Sequence, residues 1–214
     1  GDYSAALEIL KARTGSAESL GEPTRWAAWR AQIVRWLMRE GRHEEAYALA
    51  ASHRLTEPGE FLADNEWLAG YLSLRFLGQP ERALGHFRAS DAAVRGPIST
   101  SRAAYWQGRA EEALGRPDDA AISFARGAQF QTAFYGLLSA EKLGLALDPI
   151  LTGTEDFGDW RASEALRGEV PRAMLLLLAA GEREDARLFA LALARSLDRT
   201  GIGQLAALLE EMHE

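Results

Sequence analysis

Residue spacing alone points to an all-α protein built from stacked helical hairpins. Three observations predict it. A motif recurs, since Gly78, Pro80, Ala83 and Phe87 reappear 37 residues later as Gly115, Pro117, Ala120 and Phe124. Gly41 and Ala46 hold the first and third places one period earlier, and Gly181 and Ala186 repeat the spacing again. Each copy reads as a helix end, a turn and a helix start, the signature of a helical-hairpin array. Apolar residues also recur at the 3.6-residue helical interval. Finally, alternating period-2 stretches and Asn-Gly or Asp-Gly hairpin turns are missing. Such arrays usually build surfaces, so a scaffold or binding module is expected before a catalytic centre.

The elements follow in order. Tyr3, Ala6, Leu7 and Leu10 share one face of a helix over residues 2–12. It reads as the second helix of a hairpin. Thr24 is the expected cap of a helix over 24–40, with Trp26, Trp29, Ile33, Trp36 and Leu37 as its apolar stripe. The tryptophans Trp26, Trp29 and Trp36 are expected in the core between helices. Gly41 ends that helix and 44–52 returns. Pro58 and Gly59 mark the next boundary. Residues 61–77 carry Trp67, Gly70, Tyr71 and Leu74, and 80–94 form the partner helix, with Pro80 suited to its first turn. Gly96 and Pro97 break the chain. Residues 99–114 and 117–129 make another hairpin, and 131–143 a further helix stopped by Gly144.

Residues 148–158 hold Pro149, Gly153 and Gly158 and are expected to form a loop. A short helix is expected over 161–167, then a hairpin of 171–180 and 182–197, then a helix over 202–212. The whole reads as a single array over 1–214, with repeats to 147, a loop over 148–160 and further helices over 161–214. Both ends fall inside a repeat pattern, so a longer parent polypeptide is expected. Ala83 and Ala120 sit where paired helices approach closely, as do Gly70 and Gly108, while Phe87 and Phe124 are expected to fill the groove to the next repeat. Leucine at Ala83 or Ala120 should overpack the contact by about 1–3 kcal/mol.

Composition bounds the function. The 214 residues are 47% hydrophobic and 26% charged, ordinary for a folded chain with a real core. The net charge of -7 does not suggest a nucleic-acid partner. Positive charge is nearly all arginine, with Lys11 and Lys142 the two lysines. The absence of cysteine excludes disulfides, cysteine-ligated zinc and cysteine nucleophiles. The longest apolar run, residues 173–180, is too short to span a bilayer, and no signal peptide is visible. No cofactor or metal site is expected. His43, His53, His86 and His213 lack metal-ligand spacing and read as surface or packing residues. The acidic pairs Glu44-Glu45, Glu111-Glu112, Asp118-Asp119 and Glu210-Glu211 read as helix starts or polar faces. Gly201-x-Gly203, without a preceding strand, reads as a turn.

The repeat resembles the tetratricopeptide pattern with a slightly longer period, which implies a right-handed α-α superhelix. Residues 101–144 are more specific. Their runs RAAYWQGRA (102–110) and FYGLLSAEKLG (134–144) are similar to the α-superhelical region of soluble lytic transglycosylases of the Slt type. These are bacterial periplasmic enzymes that cleave the peptidoglycan glycan strand. The resemblance implies a periplasmic, non-catalytic domain that positions glycan or scaffolds a catalytic domain. In that family the superhelix precedes a lysozyme-like domain, whose catalytic acid is a helical Glu followed by Ser, with Gly-Leu-Met-Gln downstream. Here the one Glu-Ser pair is Glu18-Ser19, in what reads as a loop, and no Gly-Leu-Met-Gln follows. No catalytic residue carries over, and the catalytic domain is expected to lie outside this chain.

The most suggestive cluster is Arg102, Tyr105, Trp106 and Arg109, with Arg102, Trp106 and Arg109 on one helical face. Tyr135, inside the FYG word, joins it. Aromatic rings stack on sugars, and arginine pairs with the carboxylates of peptidoglycan stem peptides. The competing reading makes the aromatics repeat core and the arginines a solvated face. The alternative function is a free-standing tetratricopeptide-type adaptor with a protein partner. A peptide clamp favours Asn and Lys on the inner helices. Those helices here carry Trp, Tyr, Arg and Ala, and Asn65 is the chain's one asparagine.

Overall fold

The computed structural model describes residues 3–212. Among the described residues there are twelve α-helices, three 3-10 segments and no strand. The chain divides into two compact units, Gly1–Leu151 and Thr152–Glu214, with the division inside the segment expected as a loop.

The first unit contains α1 (Tyr3–Arg13), α2 (Ala17–Leu20), α3 (Pro23–Arg39), α4 (His43–Ala51), α5 (Glu60–Arg75), α6 (Pro80–Ala92), α7 (Pro97–Ala113), α8 (Pro117–Ala128) and α9 (Phe134–Lys142). From α3 onward each helix packs on its sequence neighbour, and α3, α5, α7 and α9 also pack on one another in succession. Proline occupies the first turn of α3, α6, α7 and α8, where its missing N–H removes no helical bond. Pro97 therefore starts a helix and does not break one. Pro23 likewise displaces Thr24 from the expected cap position, which Glu22 takes without a side-chain bond.

The repeated glycines end helices in the left-handed region. Gly41 and Gly115 have φ of 73° and 70°. Arg42 N then donates to Leu37 O, and Arg116 N to Glu111 O, each at 2.9 Å, which closes the last turn. At Gly78 the closure is one residue wider. Leu77 N reaches Leu72 O at 3.1 Å and Gln79 N reaches Ser73 O at 2.8 Å. The sequence carries the extra residue, since Phe87 follows Gly70 by 17 positions and Phe124 follows Gly108 by 16. Phe76 is pushed out of the helix end and stacks on His43 at 4.1 Å. Phe87 and Phe124 pack first on Gly70 and Gly108 of their own hairpins, and reach the next hairpin second, as with Phe87 on Trp106 at 5.9 Å.

In α3 the expected apolar stripe is rotated. Trp29 is 61% exposed, while Arg30 is fully buried. The core face runs through Ala27, Arg30, Ala31, Ile33, Val34 and Leu37. Arg30 earns its place by capping two helix ends. Its Nη1 donates to Leu49 O at 2.7 Å and Ser52 Oγ at 3.3 Å, and its Nη2 to Thr14 Oγ1 at 3.1 Å. The C-termini of α4 and α1 present partial negative charge there. Burial, and then nearby Arg54, pull the Arg30 pKa down to about 10. Trp26 and Trp36 are half-buried against the core of this unit.

The second unit holds α10 (Glu169–Ala179), α11 (Arg183–Ala194) and α12 (Arg199–Glu211) around Met174, Ala186, Leu193, Leu205 and Leu208. The helix expected over 161–167 is two 3-10 segments, Trp160–Ala162 and Glu164–Leu166, separated by Ser163 in extended backbone. Gly201 and Gly203 lie inside α12, not in a turn. Asp198 caps that helix by accepting from Gly201 N at 2.8 Å, which starts it three residues before expectation. Gly203 makes room for Phe157, whose Cγ lies 2.2 Å from where a methyl would stand. Gln204 Nε2 donates to Phe157 O at 3.0 Å, and Arg199 Nε to Glu155 at 3.1 Å. The segment before Trp160 is thus fastened to α12. Among the described residues no helix is long and apolar enough to cross a membrane.

Candidate functional site

Three helices of the first unit supply one aromatic column. Trp67 and Tyr71, one helical turn apart on α5, stack at 5.2 Å. Tyr71 meets Trp106 of α7 edge-on at 5.0 Å, and Trp106 meets Tyr105 at 5.6 Å. Tyr135 of α9 closes the column, 5.4 Å from Tyr105 and 6.4 Å from Trp106. Arginines flank it. Arg102 lies over Trp67 at 5.0 Å and pairs with Asp64 at 2.6 Å. Arg109 donates to Tyr105 Oη at 3.0 Å and pairs with Glu112 at 3.0 Å. All five residues singled out in the sequence therefore come together. Their exposure differs, because Tyr105 and Trp106 are only 7% and 8% exposed and Arg102, Arg109 and Tyr135 are half-buried. The indole N–H groups of Trp67 and Trp106 are buried and have no acceptor within the protein.

Beside the column, between α3 and α5, lies an open groove of about 390 Å³. Arg35, Met38 and Arg39 line one side, and Trp67, Leu68, Tyr71 and Phe76 the other. Neither arginine belongs to a motif visible in the sequence.

A second polar constellation also escaped the sequence. Glu66 of α5 binds two imidazoles, His53 Nε2 to Oε1 at 3.0 Å and His86 Nδ1 to Oε2 at 2.6 Å. His53 Nδ1 accepts from Leu55 N at 2.9 Å, so its Nε2 carries the proton donated to Glu66. The far nitrogen of His86 meets Tyr47 Oη at 3.2 Å, and Arg82 lies over the Tyr47 ring at 3.7 Å. Burial works against the Glu66 charge, but the hydrogen bonds from His53 and His86 outweigh it and hold the carboxyl at about 2. The network cross-links α4, α5 and α6. Each imidazole takes a different carboxylate oxygen, and among the described residues no group of His, Cys, Asp or Glu is arranged to hold a metal. The partners lie 13 and 20 residues from Glu66, across hairpin turns, so no local motif announces them. His213 lies outside the described residues.

The acidic pairs divide. Glu44-Glu45 and Asp118-Asp119 occupy first turns as expected. Glu111-Glu112 and Glu210-Glu211 sit at the C-terminal ends of α7 and α12, where the macrodipole disfavours them. Glu111 is buried, accepts from Ser123 Oγ at 2.6 Å and faces Arg88 at 3.7 Å. Glu18 and Ser19 are exposed on the four-residue α2, a short helix where the sequence suggested a loop. That site lacks the apolar cleft that keeps a catalytic carboxylic acid protonated.

Fold and site together define an all-α protein of helical hairpins with an arginine-flanked aromatic column on the first helices of its hairpins. No family model, curated protein or solved structure matches the chain.

Proposed function

We propose that this chain is the non-catalytic superhelical domain of a peptidoglycan lytic transglycosylase. It positions the glycan strand, holds the catalytic domain, or does both, and works in the periplasm. In this reading the hairpins wind as a right-handed superhelix. The observation that carries it is where the two family-like runs fall. RAAYWQGRA lies on α7 and FYGLLSAEKLG on α9, and these helices pack directly, with Tyr105 against Tyr135 at 5.4 Å. The resemblance thus covers one packed unit and not two unrelated stretches. A physical need underlies the FYG word, since a methyl on Gly136 would stand 1.9 Å from Phe130 O. The strand would run past the half-buried Arg102, Arg109 and Tyr135.

The test is incubation with purified peptidoglycan sacculi, reading the pellet for bound protein and the supernatant for sugar products by mass spectrometry. Binding without product is expected. Release of anhydro-muropeptides would overturn the non-catalytic assignment. Absence of both binding and product would replace wall positioning with a protein-binding adaptor.

A further inference from the structure

The groove between α3 and α5 combines a pair of unneutralised charges with the one widened helix end among the repeated hairpin turns of the first unit. Arg35 and Arg39 are four residues apart, so they share a face of α3 and repel each other. Among the described residues neither has an ion pair or a hydrogen bond. Elsewhere in the first unit Arg102, Arg109, Arg116 and Arg126 are each matched to an acid, whereas the groove brings two unmatched guanidiniums together. In a chain of net charge -7 the pair makes a local concentration of positive charge. Opposite the pair, the widened end of α5 expels Phe76, 43% exposed, into the groove wall.

We propose that this groove binds a short peptide bearing free carboxylates. Arg35 and Arg39 take the carboxylates, and the partly exposed Met38, Tyr71 and Phe76 receive small apolar side chains. The planar guanidinium matches a carboxylate with two parallel hydrogen bonds. A volume of about 390 Å³ suits a ligand of a few residues. Two arginines in an acidic protein are too few for a nucleic acid. An uncharged glycan has no group that needs them. The inference rests on the wall-binding reading for the identity of the peptide, namely the acidic stem peptides attached to the glycan.

The experiment is calorimetric titration of the whole chain with N-acetylmuramyl-L-alanyl-D-isoglutamic acid, and with the same compound amidated at both carboxyls. Sacculus sedimentation runs in parallel. The free acid is expected to bind. Amidation, or the double change Arg35→Ala with Arg39→Ala, should each weaken binding about tenfold or more. Arg39→Glu, at an exposed position, gives a second variant whose fold is undisturbed and should abolish binding. Equal affinity for the amidated compound, or unchanged affinity in Arg39→Glu, overturns the proposal. If sacculi sediment the protein but the free acid does not bind, the groove inference fails and wall binding stands. If the free acid binds through the arginine pair but sacculi do not sediment the protein, the groove is confirmed as an acidic-peptide site and the wall reading falls.

Discussion

The ring of Phe87 occupies the notch left by Gly70, so that a methyl on Gly70 would lie 2.6 Å from Phe87 Cε1. One hairpin later Phe124 stands to Gly108 in the same way, again at 2.6 Å. A phenylalanine ring in a packed core cannot swing aside as a flexible chain end does. The two notches set how closely α5 approaches α6 and α7 approaches α8.

Alanine at Gly70 or Gly108 therefore meets two opposed effects. Helix propensity favours alanine by about 1 kcal/mol, and overpacking costs about 1–3 kcal/mol. The clash should win, lowering the urea midpoint of either variant. Gly85, on α6, has nothing within 4 Å of its missing methyl, so Gly85→Ala should stabilise by about 0.5–1 kcal/mol. Opposite signs from the two substitutions are expected; a stabilised Gly70→Ala would refute the notch.

Glu66 should make the fold acid-sensitive. Its folded pKa is about 2 against an ordinary 4.5, so below 4.5 the unfolded chain takes up the proton first. The contribution, on the order of 3 kcal/mol, is complete above that range and disappears as pH falls toward about 2. Urea unfolding of wild type and Glu66→Gln at neutral pH and in acid checks this. The stability gap between them should shrink as the solution is acidified.

Arg30 separates charge from shape. Arg30→Ala leaves a large cavity and should cost about 2–4 kcal/mol. Arg30→Met keeps the volume. Thr14 Oγ1 and Ser52 Oγ stay bonded to Leu10 O and Leu49 O, at 2.6 and 3.2 Å, without the guanidinium. Methionine should therefore cost less than about 1 kcal/mol. Thermal melts of both variants give the comparison, and equal losses would show that the charge itself is required.

Phe157 holds the segment before Trp160 onto α12 through the Gly203 notch. Phe157→Ala should expose the neighbouring peptide bonds, and limited proteolysis should cut near Thr154–Asp159 several-fold faster than in wild type. An unchanged cleavage rate would mean that Gln204 and Glu155 suffice.

Much of this architecture was legible because its determinants are local. The 37-residue glycine period fixed the hairpin turns, and Pro80 and Pro117 fixed the starts of α6 and α8. The column residues Arg102, Tyr105, Trp106 and Arg109 were visible because helical spacing puts neighbours one turn apart. What was hidden depends on partners distant in sequence. Trp29 faces outward because the core face of α3 runs through Arg30, whose guanidinium bonds Leu49 O, Ser52 Oγ and Thr14 Oγ1 at two other helix ends. Glu66, His53 and His86 meet only after the hairpins close. The role of Gly203 is set by Phe157, which lies 46 residues earlier.

The packing of each helix on its chain neighbours also carries a kinetic consequence. Closing a contact between adjacent helices orders only a short loop, so the entropic barrier to each step is small. The first unit should therefore assemble rapidly and hairpin by hairpin. In that sequence the Glu66 network cannot be complete until α6 has docked with His86. His53 can meet Glu66 once α5 has docked, whereas Tyr47 stays unmatched until α6 brings His86.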